Sequence, residues 1–414
     1  MDLILKLWVC IVVGVMAIFA VRHWLISMRR LVGFQRPFYH DLLDSDLPAV
    51  SVIVPMHNED MVAEQILDAL LHSAYPKHLL EIIPVDDHSE DGTAAIVRRY
   101  AAQHAHIKPL FRNGGLRGKP AALNDALAVT THEIVLVFDA DYTPGADAVR
   151  ALVTAFADPE VGAVMGRVVP HNGRSTLLTR LLELDRFGGY QVDQQTRYTL
   201  DLVPQFGGTA GGFRRSVALS MGGFAVRASA EDTDLTVRLY LSGWKIAYAN
   251  RVECYEEVPE TWDARFRQLR RWSRGHNQVL LRLGPSLLRS RYLRPLQRAD
   301  ALLILVVYLV PPLLLSALAA EMLLFLRGDL VLLPSLLLAL FIVAYNEFGN
   351  FAPFLQIGIA GVLDGAESRL LLLPFFFFGF LFNQLAVTRG LVDALIDVVW
   401  QRDPEWVKTP RFIR

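Results

Sequence analysis

Two carboxylates one residue apart, Asp139 and Asp141, close the apolar run VLVF at 135–138. On a backbone leaving a strand, side chains at i and i+2 reach one divalent cation and the phosphates bound to it. Mg2+ and Mn2+ favour such oxygen donors and keep phosphates or waters as their other ligands. Two turn-forming acids at a strand end account for the same pair without a metal. Asp86 and Asp87 stand in an equivalent place, after a second apolar run, in the string VDDHSEDGT at 85–93. An acid there accepts hydrogen bonds from a base or a ribose. The plainer reading is an Asx turn that caps the next helix, and the two are compatible. Glu231, Asp232 and Asp234 open a helical pattern running to about 241. The helix dipole favours acids at that end. A place beside the metal acids would instead make Asp232 a general base for an acceptor hydroxyl.

A fourth signal is basic and aromatic: Gln268, Leu269, Arg270, Arg271 and Trp272 in succession. Helical spacing over 262–283 puts Trp262, Phe266, Leu269 and Trp272 on one stripe. An amphipathic interfacial helix with aromatic anchors explains the stripe. The chemical reading has Arg271 neutralising a leaving diphosphate and Trp272 offering a flat face to a sugar ring. Other features read as bland. His104 and His106 have no cysteine nearby and are surface residues rather than zinc ligands. Arg294 and Arg298, spaced R-x-x-x-R, belong to a basic flank.

The acids need a scaffold, and short apolar strands alternating with helices supply one. Strands are expected at 50–55, 80–85, 133–138 and 161–165, and helices at 61–72, 93–103, 121–129 and 146–157. That alternation predicts a mostly parallel sheet covered on both faces. Ligands bind such sheets beyond the carboxyl ends of the strands, where Asp87 and Asp139 fall. No G-x-G-x-x-G follows a strand. The loop GGLRGKP at 114–120 is one residue short of P-loop spacing and has Pro120 where Ser or Thr belongs.

Around this block the chain turns apolar. Of 414 residues 53% are hydrophobic and mean hydropathy is +0.31, which points to a mixed soluble and membrane chain. The net charge of −1 says nothing about partners. Residues 3–21 are apolar except for Lys6, and Arg22, His23, Arg29 and Arg30 follow. Charges after the run, with no small-residue cleavage site, indicate a retained signal anchor whose downstream domain is cytoplasmic. Ten Arg and no acid occur between 264 and 299, and 301–320 carries no charge. Twenty apolar residues span a bilayer, with Pro311 and Pro312 kinking the helix. Further spans are expected at 330–345 and 370–388, with 348–363 a short span, an interfacial helix or a re-entrant piece. Cys10 and Cys254, one in each environment, do not suggest a disulfide and fit a reducing cytosolic face. The expected organisation is an anchor at 1–30, a catalytic domain at 48–260, Arg-rich interfacial helices at 261–299, a transmembrane region at 300–392 and a tail at 393–414.

In this order the signals resemble the inverting family-2 glycosyltransferases of GT-A fold. The likeness is greatest to the membrane-embedded branch that includes cellulose, chitin, hyaluronan and poly-N-acetylglucosamine synthases. It covers roughly 48–300 and rests on the strings VPMHNE (54–59), VDDHSEDGT (85–93), GKPAALN (118–124), FDAD (138–141), GTAGGFR (208–214), EDTDL (231–235), YEEVPETW (255–262) and QLRRW (268–272). The resemblance implies an α/β, Rossmann-like GT-A domain in the cytoplasm between an N-terminal transmembrane helix and a C-terminal transmembrane helical region. It implies that Asp87 and Asp139 hold the uridine and ribose of a UDP-sugar, with Glu59 and Lys119 nearby. Asp141 would bind Mg2+ or Mn2+ at the diphosphate and Asp232 would be the base. Gln268 and Arg271 would sit by the diphosphate, Trp272 would stack the acceptor sugar, and Gly208 and Thr209 would lie beside the acceptor.

The expected activity is inverting transfer to a growing β-linked polysaccharide coupled to translocation, in a multi-pass protein of a bacterial inner membrane. The alternative is a non-processive enzyme glycosylating a lipid. A non-catalytic nucleotide-binding membrane protein is a third class, against which the intact acid set argues. An accessory subunit is compatible, whereas nucleic acid is not an expected partner, because the Arg block is juxtamembrane. Three departures from the family pattern bear on substrate and turn geometry: Ala230 replaces Thr before Glu231, His88 replaces Gly after the Asp pair, and Leu269 fills an often polar position.

Overall fold

The run 50–56 is buried at six of its seven positions, which requires cover on both faces. It forms β1 (Val50–Met56), the centre of a Rossmann-like half. After α1 (Asp2–Val32), the chain proceeds through β1, α2 (Ala63–Leu71), β2 (Leu80–Asp87), α3 (Thr93–Gln103), β3 (Leu110–Arg112), α4 (Lys119–Val129) and β4 (Ile134–Val137). β1 pairs in parallel with β2 and β4, and β2 with β3. The chain then continues through β5 (Thr143–Pro144), α5 (Ala148–Val153), β6 (Val161–Pro170), α6 (Leu177–Phe187), a π-helical turn (Gly188–Gln194), α7 (Gln195–Thr199), β7 (Gly211–Arg214), α8 (Arg215–Ser220), α9 (Glu231–Leu241) and β8 (Lys245–Glu256). The eight-stranded sheet has the order β3-β2-β1-β4-β7-β6-β8-β5. The structure, a computed structural model, describes residues 2–328, 336, 339–340, 342 and 352–400.

The sheet is mixed rather than mostly parallel. β7 runs antiparallel to both β4 and β6, and β5 runs antiparallel to β8. Gly211 and Gly212 let β7 fit between β4 and β6. A Cβ on either would run into the carbonyl oxygen of Val164 or Val135, so only glycine lets β7 lie this close to its neighbours. The same two glycines hide β7 from a propensity reading.

Beyond the sheet come α10 (Trp262–Arg289), α11 (Pro295–Val306), α12 (Val310–Leu326), α13 (Ala352–Leu363) and α14 (Phe376–Trp400). Thr261 caps α10 by accepting the N–H of Ala264. Two described helical stretches, Asp2–Val32 and Pro295–Leu326, are long and apolar enough to cross a membrane. They pack antiparallel through Val9, Val12, Met16 and Phe19 on one side and Val310, Leu314 and Ala317 on the other. Trp8 bonds Ser316 at 3.1 Å, and Arg22 bridges Asp193 and Asp300 at 3.0 and 3.1 Å. A 3-10 turn at Val307–Leu309 breaks the second stretch just before Pro311.

Two sequence expectations change here. Residues 370–388 are not one continuous α-helix. They divide between a 3-10 stretch (Glu367–Phe375) and α14, and α14 lies along α10. Trp262 and Phe266 pack on Phe382 at 4.9 and 5.6 Å, and Leu269 meets Ala386 and Val387. The aromatic stripe of α10 thus faces a protein helix. Arg270 pairs with Asp393, and Arg274 grips both oxygens of Asp397 at 2.5 and 2.6 Å. Residues 393–400 therefore end α14 rather than begin a tail. The rest of the tail, and most of the 330–345 stretch, lie outside the described residues.

Candidate active site

The site begins where β2 ends. His88 has φ +59°, the left-handed region that glycine prefers. The turn therefore survives the histidine, at a cost of about 1 kcal/mol. His88 offsets this by donating its N–H to the Arg112 carbonyl at 3.1 Å and placing Nδ1 2.7 Å from Asp87 Oδ1. Asp87 also binds the Arg112 guanidinium, and its Oδ2 accepts the Gly118 N–H at 2.7 Å. The Asx turn ahead of α3 is made instead by Asp91, whose Oδ1 accepts the N–H and hydroxyl of Thr93 at 3.0 and 2.6 Å, while the N-cap is Gly92 and has no side-chain cap. Thr93 in turn accepts the Glu59 N–H at 2.7 Å, which seats buried Glu59 beside the end of β1.

Lys119 opens α4 and points across the sheet ends. Its Nζ lies 2.6 Å from Asp139 Oδ1 and 3.9 Å from Glu231 Oε1. Burial alone would lower the Lys119 pKa, but Asp139, Glu231 and Asp232 outweigh it and hold the ammonium above its ordinary value. Burial pushes the Glu231 carboxyl up to about 7; Lys119 opposes this and Asp232 adds to it. The Asp139 N–H donates to Thr209 Oγ1 at 2.9 Å. Gly208, at φ +75°, brings its backbone against Asp232, and a Cβ there would sit 2.9 Å from the Asp232 Cβ. Asp232 Oδ1 accepts the Thr233 N–H at 2.7 Å.

The far wall comes from α6, β8 and α10. Two guanidinium groups approach the Trp272 ring, Arg186 at 5.1 Å and Arg265 at 5.5 Å from its centroid. Arg186 pairs with Glu256 at 2.5 Å, and Tyr142 donates to the other Glu256 oxygen at 2.9 Å. Gln268 accepts from Arg265 at 2.9 Å, and Arg271 is close enough to Glu231 to lower its carboxyl pKa. His276 Nδ1 lies 2.9 Å from the Trp272 carbonyl and Nε2 lies 3.2 Å from Thr233 Oγ1. Asp141 sits on the turn between β4 and β5, where its charge and that of Asp139 act on Tyr142.

The structure thus connects Lys119, Asp139, Gly208, Thr209, Glu231 and Asp232 by direct contacts, with Asp87 joined through the Gly118 N–H, Trp272 through His276 and Gln268 through Arg265. Glu59 stands at the edge, joined by its backbone. Among the described residues no three His, Cys, Asp or Glu side chains converge on a metal position. The acids at the strand ends offer oxygen donors alone, the chemistry that Mg2+ or Mn2+ takes together with phosphates. Sequence reasoning missed Arg112 and His276. A lone arginine ending the short run Leu110–Arg112 was one signal, and a histidine one helical turn beyond Trp272 was the other.

A profile of the family described as Glycosyltransferase like family 2 matches residues 48–275. Probable glycosyltransferase YdaM of Bacillus subtilis (strain 168) is 38% identical over 241 residues, 57% of this chain and 57% of that protein. The matched part therefore spans little more than half of that relative. Among solved structures, the mannosyltransferase PcManGT of Pyrobaculum calidifontis, in complex with GDP-Man and Mn2+, superposes with a TM-score of 0.65. That likeness covers 90% of this chain and 98% of the other at 23% identity, and it is one of fold. The α/β domain is GT-A-like, with the mixed sheet described above.

Proposed function

This chain belongs to glycosyltransferase family 2, and from that premise we propose that it transfers a sugar from a nucleoside diphosphate donor to an acceptor hydroxyl with inversion. The observation that carries the reading is the joined set Lys119, Asp139, Glu231 and Asp232 beyond the strand ends of a sheet whose Asp87 is fixed by Arg112 and Gly118. Asp87 and Asp139 serve the nucleoside, with Glu59 and Lys119 beside them. Gln268 and Arg271 serve the diphosphate, while Gly208, Thr209 and Trp272 serve the acceptor.

Asp232 removes the proton from the acceptor hydroxyl. The freed oxygen forms a bond to the anomeric carbon as the bond from that carbon to the diphosphate breaks. A single displacement turns an α-linked donor into a β-linked product. Arg271 meets the charge that grows on the departing diphosphate. A divalent cation at Asp141, when bound, neutralises the same charge.

The leading product is a β-linked polysaccharide built from a UDP-sugar and passed through the apolar helices in a membrane. The runner-up is a glycolipid made in a single transfer. It is favoured by Tyr308, which precedes apolar α12 and lies 4.3 Å from the His276 ring beside the base. A lipid-held acceptor entering along α12 would arrive at Asp232.

The test is turnover by purified protein in lipid nanodiscs, with a panel of UDP-sugars and GDP-mannose, and with Mg2+, Mn2+ or chelator. Nucleoside diphosphate release and product size are read together. High-molecular-weight product from one donor supports the polymer, and an organic-soluble product moves the assignment to the glycolipid. Asp232→Asn is expected to reduce turnover by about 10²–10⁴-fold, with nucleotide binding kept. Wild-type turnover in that variant overturns the mechanism.

A further inference from the structure

We propose that His276 is a positioning residue that keeps Asp232 in register with the flat face of Trp272. The inference rests on reading Asp232 as the base. The Trp272 carbonyl can only accept, so His276 Nδ1, 2.9 Å away, carries the proton and donates it. Burial lowers the His276 pKa against the pull of Asp232, which favours the neutral ring and leaves Nε2 as an acceptor. The Thr233 hydroxyl, 3.2 Å from Nε2, donates to it. The Thr233 backbone N–H donates to Asp232 Oδ1 at 2.7 Å. One imidazole therefore ties the backbone of Trp272 to the turn that sets the Asp232 carboxylate.

Three neighbouring contacts make this junction a docking point. Gly275 has no Cβ, and one would lie 2.5 Å from the Ala230 Cβ and 2.6 Å from its nitrogen. Helix α10 can therefore approach the segment leading into α9 only at a glycine. Gln278, one turn on, accepts the Ser229 N–H at 3.3 Å. On its outer face the His276 ring rests on Tyr308 at 4.3 Å with an interplanar angle of 34°, which fixes its rotation. The imidazole is held by the Trp272 carbonyl and the Tyr308 ring, and its third contact is Thr233.

The test compares His276→Phe, His276→Gln, Thr233→Val and the His276→Phe/Thr233→Val double variant with the wild type. The donor is whichever one the wild type turns over. Phe removes the acceptor, whereas the Gln side-chain carbonyl reaches the place of Nε2. His276→Phe and Thr233→Val are each expected to lower kcat by about ten- to a hundredfold, the scale of a base misplaced by a fraction of an ångström to 1 Å. Donor KM and nucleoside diphosphate affinity are expected to stay within about twofold, because transition-state geometry alone is lost. The double variant is expected to fall no lower than the worse single one, and His276→Gln to recover most of kcat. The proposal is overturned if His276→Phe keeps wild-type kcat, if the two losses multiply, or if Gln is no better than Phe while KM and thermal stability fall together. A wild type that binds nucleoside diphosphate yet turns over no donor overturns the functional reading, and this inference with it.

Discussion

Glu231 gives the most quantitative handle on the site. Its carboxyl is raised from an ordinary 4.5 to about 7 because it is buried beside Asp232, and Lys119 at 3.9 Å only partly compensates. Folding therefore favours the protonated form. The stability this supplies is fully present below about pH 4.5 and is lost as the pH rises through about 7. The 2.5-unit rise (7 − 4.5) corresponds to about 3 kcal/mol at 1.36 kcal/mol per unit. Glu231→Gln fixes the neutral form and removes the penalty at alkaline pH. It also removes the weak attraction to Lys119, which keeps Asp139 at 2.6 Å. The net expectation is a gain of about 2 kcal/mol at pH 8.5, or about 4–8 °C in Tm for a domain of this size, and no gain at pH 4.5. Thermal unfolding of both proteins in the same nanodiscs at the two pH values checks it. An equal Tm difference at the two pH values, or a less stable variant at pH 8.5, would refute the account of Glu231 as a strained acid.

Two further outcomes follow from single contacts. Arg112→Leu strips buried Asp87 of its cation and also frees Asp125, which Arg112 holds at 2.7 Å. Losing one partner of a buried pair should cost about 3–5 kcal/mol, read as a lower Tm together with weaker nucleoside diphosphate binding by calorimetry; unchanged binding would remove Asp87 from the donor site. Gly275→Val forces α10 away from Ala230 and should lower kcat by at least about tenfold while nucleotide binding persists, measured by nucleoside diphosphate release; full activity would mean that the close approach is not required.

The parts legible in the sequence were those set by local rules. β2 and β4 are apolar runs closed by acids, and α3 and α9 were bounded by their opening residues, Thr93 and Glu231. The acids themselves were visible as types at strand ends. What could not be read were relations between distant residues. Nothing local says that Asp87 is held by Arg112, 25 positions on, or that Asp91 rather than Asp87 makes the Asx turn before α3. β7 was hidden because its value lies in the absence of side chains at Gly211 and Gly212. His88 illustrates the opposite limit: its replacement of glycine was marked as a departure, but only the structure shows the left-handed backbone and the bonds to Asp87 and Arg112 that accommodate the histidine.

The Arg-rich block shows how one composition serves two ends. By sequence it is a positive flank beside an apolar stretch, and Arg267, paired with exposed Asp263, still fits that description. Arg270 and Arg274 do not, since they reach Asp393 and Asp397 more than a hundred residues later. Asp397 also accepts from Gln278 Nε2 at 2.8 Å, while Gln278 Oε1 takes the Ser229 N–H just ahead of Glu231 and Asp232. Ser273 donates to the Val387 carbonyl at 2.7 Å, and Gly390 lies so close to α10 that a Cβ there would strike Ser273. Helix α10 is therefore gripped on one face by α14 and on the other by the segment carrying the base. Each grip uses buried polar groups, and these are costly to leave unpaired. The register between Trp272 and Asp232 is thus set jointly by a helix at the far end of the chain and by the catalytic domain. A chain that shared only the catalytic strings, without partners for Arg270, Arg274 and Gln278, would place the same acids with less constraint.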